Sequence, residues 1–403
     1  MKGRDFGLRY PAPRPPMIGD YLVRKRYVAA GLFTIDAACA VLAAGAPRLH
    51  GQMSGDVNSL LVSQCGHLGD LIMTLPALHW IRRNRPQIRI GLIVGSWAKP
   101  MIDGIAELYD KYYLADHFML DRSGRPLTEK VVRHYESWKS TTADITRDKY
   151  DAAIECYPFL QNSVPLFHAC GIPVRVGFTS GGFSPLLTHK VKWKHEPRSL
   201  VDYPRDLLQA LFTDVSLDHP LGAYYPAPVG SNKHPGQPYV LVQTGTGNAI
   251  KEWPEERWIE LVRQLSIDGA KVVLAGAGTR ERDRAARIQE AVGGVVNLCD
   301  RLSWDQFVTL VAEATHVVCL DSSTSHLAAA FRIPSTVIVS GTSEQRQFGP
   351  ANEQARILTF PTPCAPCFRS RGCDHMACVR NVGVAEVAEA VLKRLNLPAE
   401  QVL

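Results

Sequence analysis

Gln243-Thr-Gly-Thr-Gly247 and Asp321-Ser-Ser-Thr-Ser-His326 are the two turns on which the reading of this chain depends. They bracket the run from Val240 to His326, which alternates strand, turn and helix. A turn of small hydroxyl residues that feeds a helix N-terminus presents free backbone N–H groups and a partial positive charge. That combination seats phosphate. Two such seats at the strand ends of one parallel sheet predict a diphosphate-bearing ligand lying across them.

The alternation extends outward from this run. Tyr239-Val-Leu-Val-Gln243, Lys271 to Gly276, Val295 to Leu298, His316 to Leu320 and Ser335 to Val339 read as strands. Helices are expected over Pro254–Ile267, Thr279–Val292, Ser303–Ala314, Ser325–Phe331 and Val384–Leu395. Pro254 suits a first helical turn. Ser303 with Gln306 forms a capping box. The Pro/Gly/Ser-rich stretch from Tyr225 to Pro238 is the expected linker. Upstream of it a second α/β set begins with Ser59-Leu-Leu-Val-Ser-Gln64, a turn at Cys65-Gly-His-Leu-Gly-Asp70, and a helix from Leu71 to Asn84. Strands follow at Arg89–Val94, Tyr112–Ala115 and Ala152–Glu155. A helix is expected over Glu129–Ile145, and an edge strand at Val174–Phe178. The strand–helix–strand order implies parallel sheets with right-handed crossovers. The expected division is an arm and apolar helix over 1–50, a first Rossmann-like domain over 55–228, and a second over 236–403.

With 403 residues, 46% apolar and 21% charged, the chain is long and apolar enough for two globular cores. A net charge of +6 is too mild to imply nucleic acid, but it fits anionic ligands or an acidic membrane surface. The ten cysteines do not form a compact secreted scaffold, which favours a reducing interior. Met1 to Pro16 reads as an unstructured, proline-bearing arm. The apolar helix that follows Arg24-Lys-Arg26 runs to about Ala44. It is short for a membrane span and carries Asp36 near its middle. Asp36 and the distance of the basic cluster from Met1 also argue against a secretory signal. Two readings of the helix stand side by side: docked on the body of the protein, or lying at a membrane interface.

Gly66 and Gly69 permit a tight turn close to a ligand. Asp70, at the carboxyl end of a strand, is either a helix cap or a general base taking a proton from an attacking hydroxyl. Lys251 is either an exposed loop cation or a partner for phosphate charge. His326 is either a satisfied buried histidine or a ligand contact. Leu60 to Ile90, with Gly66-His-Leu-Gly-Asp-Leu-Ile-Met-Thr-Leu-Pro-Ala-Leu78 and then Arg82-Arg-Asn-Arg-Pro86, resembles the opening of glycosyltransferase family 9, the heptosyltransferases of lipopolysaccharide assembly. Lys251-Glu-Trp-Pro254 is similar to that family's lysine–tryptophan–proline segment. Asp321 to Ala330, continued by Arg332-Ile-Pro334, is similar to its donor loop. The resemblance runs from about Ser59 to Leu395 in the same order.

The resemblance implies a GT-B fold of two Rossmann-like domains facing across a cleft, here with an N-terminal helical extension. It implies a nucleotide-sugar donor, expected to be ADP-heptose, in the second half and a lipid-linked, often anionic saccharide acceptor in the first, with inversion at the sugar carbon. Asp70 then matches the catalytic base. Thr244, Gly245 and Thr246 match the loop that cradles the diphosphate, and Lys251 the lysine that offsets its charge. Asp321, Ser322, Ser323, Thr324 and His326 complete the donor site, and Glu281 matches an acidic residue at the nucleoside. The resemblance places the enzyme in the cytoplasm, with a peripheral position on the inner membrane face open to it.

Ser323 stands where the family usually has glycine, and Val339-Ser-Gly-Thr342 replaces a phenylalanine–glycine–proline–threonine turn. These departures bear on the donor more than on the fold. The chain has no Asp-x-Asp triplet, so transfer without metal or other cofactor is expected. Cys364, Cys367, Cys373 and Cys378 are spaced either for a tetrahedral zinc site or for a structural loop of thiols or a disulfide. A non-catalytic nucleotide-sugar sensor is the rival from another class. An NAD-dependent oxidoreductase is disfavoured, because no Gly-x-Gly-x-x-Gly follows the first strand of either half.

Overall fold

The computed structural model describes residues 21–22, 26–44, 57–194, 196, 198–228, 238–369 and 372–395. The arm from Met1 to Pro16, the basic pair Arg24-Lys25 and most of the expected linker, 229–237, lie outside them. The first half comprises α1 (Arg26–Ala44), β1 (Ser59–Gln64), α2 (Leu68–Asn84), β2 (Arg89–Val94), β3 (Lys111–Leu114), α3 (Leu127–Asp148), β4 (Ala152–Glu155), α4 (Val164–Ala169), β5 (Val174–Phe178), β6 (His189–Val191) and α5 (Tyr203–Leu211). Its six strands are parallel, in the order β3-β2-β1-β4-β5-β6.

The second half comprises β7 (Tyr239–Gln243), α6 (Glu255–Ile267), β8 (Lys271–Leu274), α7 (Thr279–Val292), β9 (Val296–Asn297), α8 (Trp304–Ala312), β10 (His316–Leu320), α9 (Ser323–Ala330), β11 (Ser335–Ile338), β12 (Ala355–Leu358) and α10 (Val384–Leu395). Its sheet is also parallel, in the order β12-β11-β10-β7-β8-β9. Each sheet therefore has the doubly wound order in which the chain reverses direction between its first and fourth strands. The central strands are buried on both faces and apolar in their middles, with polar residues at their ends, as covered parallel sheets allow.

Several expectations are corrected. Val174–Phe178 is not the edge of its sheet: β6 covers it. β6 (His-Lys-Val) and β12 (Ala-Arg-Ile-Leu) escape a sequence reading because they are short and each carries a charged residue mid-run, and what holds them is pairing with a strand already in place. α2 begins at Leu68, so Asp70 is the third helical residue and His67 the cap. Pro254 caps α6 from outside instead of starting it. Ser303 and Gln306 form the expected capping box on α8, with Ser303 Oγ accepting from Gln306 N at 3.2 Å.

The halves meet tightly. Tyr225, placed by sequence in the linker, is buried, and its hydroxyl accepts a hydrogen bond from Trp304 Nε1 at 2.8 Å. Gln347 Nε2 donates to Tyr203 OH at 3.0 Å, and α2 packs on α9. One apolar core runs from Leu60 and Leu75 through Tyr225 to Leu241 and Leu327. α1 docks on the first half through Ala29, Leu32 and Cys39, the last in contact with Val164, Leu186 and Leu187. Asp36 anchors it by accepting from Tyr21 OH at 2.9 Å and Ser184 Oγ at 3.0 Å. One 18-residue window, Tyr27–Ala44, is long and apolar enough to cross a membrane by length and composition.

Candidate active site

The first loop of the site leaves β1 at Gln64. The Gln64 side chain accepts from Gly66 N at 3.1 Å and donates to Thr74 Oγ1 at 2.9 Å, while Trp97 Nε1 donates to Gly66 O at 2.7 Å. The turn is therefore held from three sides. Asp70 Oδ2 accepts the His67 N–H at 2.7 Å, reaching back over the first turn of α2 as a capping-box acid does. Gly66 makes this possible: a Cβ there would lie 2.6 Å from Asp70 Oδ2. Cap and base are not exclusive roles, since among the described residues Asp70 Oδ1 accepts no hydrogen bond. Burial is the largest influence on Asp70 and raises its pKa above the ordinary aspartate value. The His67 N–H, Arg122 and Lys251 oppose that rise and Asp321 adds to it. Lys251 and Asp321 belong to the other half, so charges from both lobes act on this carboxylate.

The second loop follows β7 but does not run straight into an α-helix, as the sequence suggested. It passes through a single helical turn, Ala249–Lys251, before α6. Three of its carbonyls are tied down from behind. Thr244 O accepts from Arg284 Nη1 at 2.7 Å, Gly245 O from Gln243 Nε2 at 2.7 Å, and Thr246 O from Arg280 Nη2 at 2.8 Å. Glu252 holds both arginines, at 2.5 Å from Arg284 and 2.8 Å from Arg280. Thr244 Oγ1 is buried and, among the described residues, has no hydrogen-bond partner. An orphaned buried hydroxyl calls for an explanation, and a ligand oxygen supplies one.

The third loop leaves β10, the strand hydrogen-bonded to β7, so both loops emerge side by side. Here the chain does enter a helix: Ser322 is the N-cap of α9. Ser322 Oγ donates to Gln243 Oε1 at 3.0 Å, and Ser325 Oγ donates to Ser322 O at 2.7 Å. Lys251 Nζ lies 3.1 Å from Asp321 Oδ2, joining the second and third loops. Glu281 accepts from Gln243 Nε2 at 2.8 Å and fills the space beside Gly245 and Gly276, where a side chain on either glycine would collide with it. Burial raises its pKa to about 7.

Thr244, Gly245, Thr246, Lys251, Glu281, Asp321, Ser322, Ser323 and Thr324 thus surround the adjoining ends of β7 and β10, with Asp70 across the gap. His326 is placed differently. It is buried, burial lowers its pKa, and its ring packs 3.2 Å from where a Gly69 Cβ would lie. It also lines a small cavity between the lobes with Ile72, Met73 and Ala329. Gln243 and Arg122 are members of the site that the sequence did not single out. Gln243 bridges Gly245, Glu281 and Ser322, and its signal is an amide at the end of a buried strand before a glycine turn. Arg122 comes from the first half, lies within electrostatic range of Asp70, and reaches Gly247 so closely that a side chain on that glycine would strike its guanidinium. No local pattern marks it.

Each of the four clustered cysteines is a free thiol: Cys364 is exposed, Cys367 and Cys373 are partly buried, and Cys378 is buried. Among the described residues, no group of three or more His, Cys, Asp or Glu side chains is disposed to hold a metal ion.

Residues 138–375 match the family model described as glycosyltransferase family 9 (heptosyltransferase), a span that contains every donor-side loop but not Asp70. The chain is similar to lipopolysaccharide heptosyltransferase 1 of Pseudomonas aeruginosa, 26% identical over 322 residues that cover 77% of this chain and 86% of that protein. The structure of E. coli ADP-heptose lps heptosyltransferase II superposes with a TM-score of 0.66 at 19% identity, covering 84% of this chain and 98% of that one. E. coli heptosyltransferase WaaC with ADP gives a TM-score of 0.63 at 18% identity, with 83% and 99% covered. At these identities the structural likenesses establish the GT-B fold.

Proposed function

The chain belongs to glycosyltransferase family 9 and is a glycosyltransferase, and from that premise we propose that it is a heptosyltransferase of lipopolysaccharide core assembly. It moves heptose from ADP-heptose to a hydroxyl of an anionic, lipid-linked saccharide, with inversion and without a metal ion. The donor class follows the relatives, whose names specify heptose transfer to lipopolysaccharide and ADP-heptose as donor. The chemistry rests on one observation: α2, which carries Asp70, packs on α9, which follows Asp321, so the Lys251–Asp321 pair of the second lobe acts electrostatically on the Asp70 carboxylate of the first.

The acceptor hydroxyl gives its proton to Asp70 as its oxygen attacks the anomeric carbon. The bond from that carbon to the β-phosphate oxygen breaks on the opposite face, and its electron pair leaves with ADP. Attack opposite the leaving group inverts the centre. Charge developing on the pyrophosphate is met by the backbone of Thr244–Thr246, the orphaned Thr244 hydroxyl, the N-terminus of α9 and Lys251, so fixed donors take the part a metal would play. A raised pKa suits Asp70 to its role, because a stronger base takes the proton more readily. Glu281 contacts the nucleoside. His326 acts indirectly, holding α9 against α2. The outward face of α1 gives the protein a peripheral hold on the cytoplasmic membrane surface.

The test is a thermal-shift panel of nucleoside diphosphates and their sugars, followed by transfer assays. ADP and ADP-heptose raise the melting temperature through preferential binding to the folded state. A panel in which UDP or GDP stabilises the protein and ADP does not would refute the donor assignment.

A further inference from the structure

Ten of the fifteen large apolar side chains that stand exposed among the described residues lie on α1 or between Met119 and Tyr135. Such clustering differs from the scattered exposure ordinary on soluble surfaces and marks a contact surface. On α1 the exposed side chains include Tyr27, Phe33, Val41 and Leu42. On α3, Leu127, Val131 and Tyr135 recur at four-residue intervals on one helical face with Val132 beside them, at 66%, 43%, 65% and 53% exposure. Core packing does not explain this stripe, because α3 buries a different part of itself, Thr141 and Ile145, against the sheet.

The two helices lie on the same side of the first sheet. Ile145 of α3 packs with Leu166 and Phe167 of α4, and Cys39 of α1 packs with Val164 of α4. The opposite side, reached by alternate strand residues such as Leu60 and Val62, is covered by α2 and α5. The α3 stripe also adjoins the cleft. Between β3 and α3 the chain passes through exposed Met119 and then Arg122, which reaches Gly247 and lies in the field of Asp70.

We propose that α1 and the Leu127–Tyr135 stripe of α3 form one composite face that seats on an anionic bilayer, turning the mouth of the cleft toward the membrane that carries the acceptor. Charge specifies the occupant. From Met1 to Arg26 the sequence holds seven Lys or Arg against two Asp, next to an apolar helix surface, and anionic headgroups attract such segments. A single helix would tether the protein but leave it free to turn. Contact at a second helix fixes its orientation. The inference rests on the reading that the acceptor is lipid-linked.

Co-sedimentation of the full chain with phosphatidylglycerol-containing vesicles, against phosphatidylcholine vesicles, tests it. The wild type pellets with the anionic vesicles. Val131→Glu with Tyr135→Glu, and separately Val41→Glu with Leu42→Glu, each lower the bound fraction about tenfold. An unchanged ADP-induced melting shift shows that each variant is folded. Wild-type binding by the α3 variant would overturn the composite face and leave α1 as a lone tether. Absence of wild-type binding, or equal binding to phosphatidylcholine, would overturn it altogether. Vesicle binding without any ADP shift would instead count against the donor assignment and leave this surface standing.

Discussion

Lys251 and Asp321 lie 70 residues apart in sequence, yet Nζ stands 3.1 Å from Oδ2. The pair exists because β7 and β10 are neighbours and each releases its loop at the same end of the sheet. It holds the lysine at the gap before any phosphate arrives. On the proposed mechanism, a diphosphate entering there competes with Asp321 for the ammonium group as its leaving oxygen acquires charge.

Lys251→Ala therefore lowers kcat by about 10²–10³-fold, the range for removing one donor to developing charge. Folding stability changes by about 1 kcal/mol or less, since a partly exposed ion pair contributes little. Steady-state kinetics beside thermal denaturation distinguishes the two effects. A parallel fall in both would show that the pair serves folding.

Asp70→Asn removes the base but retains the side chain's shape and its acceptance of the His67 N–H. Transfer falls by about 10²–10⁴-fold, while the melting shift with ADP persists. In the wild type kcat/KM declines as pH falls, because protonated Asp70 cannot accept a proton. That limb lies above the ordinary aspartate value of about 3.9, since burial raises the Asp70 pKa. Wild-type turnover by the asparagine variant would remove Asp70 from the chemistry.

Gly66→Ala tests the turn. The added methyl would stand 2.6 Å from Asp70 Oδ2, closer than side-chain atoms tolerate, so the carboxylate must move. Activity falls at least tenfold, since a small misplacement of a reacting group costs up to about 10²-fold, with destabilisation of about 1–3 kcal/mol. Full activity would show that the carboxylate has room to shift without consequence.

Glu155, at the end of β4, accepts from Tyr157 N at 2.9 Å and Ser163 N at 2.6 Å, yet burial raises its pKa from 4.5 to about 8. Between those values the folded protein holds a proton that the unfolded chain releases. The contribution of this group to stability is therefore full below about pH 4.5 and declines as pH rises to about 8. Glu155→Gln, measured by urea unfolding across that window, flattens this component. An unchanged slope would assign the pH dependence to other groups.

On the proposed mechanism chelation leaves transfer unaffected, because backbone N–H groups and Lys251 would carry the charge stabilisation. A loss of rate in EDTA that a divalent ion restores would contradict this.

Much of the architecture was legible in residue order alone. Short apolar runs such as Leu60–Val62 and Val240–Val242, each followed by a glycine turn, read as strands covered on both faces, and Ser303 with Gln306 announces a helix start. Gly66, Asp70 and the two hydroxyl-rich turns were legible because a close backbone approach and a helix terminus demand particular residue types locally. Tertiary structure decided the rest. Strand order brought Lys251 to Asp321. Contact between the lobes set Asp70 opposite that pair and assigned His326 to the seam. Arg122 and the Glu252–Arg284 brace leave no mark in the sequence, and neither do β6 and β12. Periodicity and capping act within a turn or two of chain, whereas these residues owe their roles to partners supplied by distant segments, which only packing brings near.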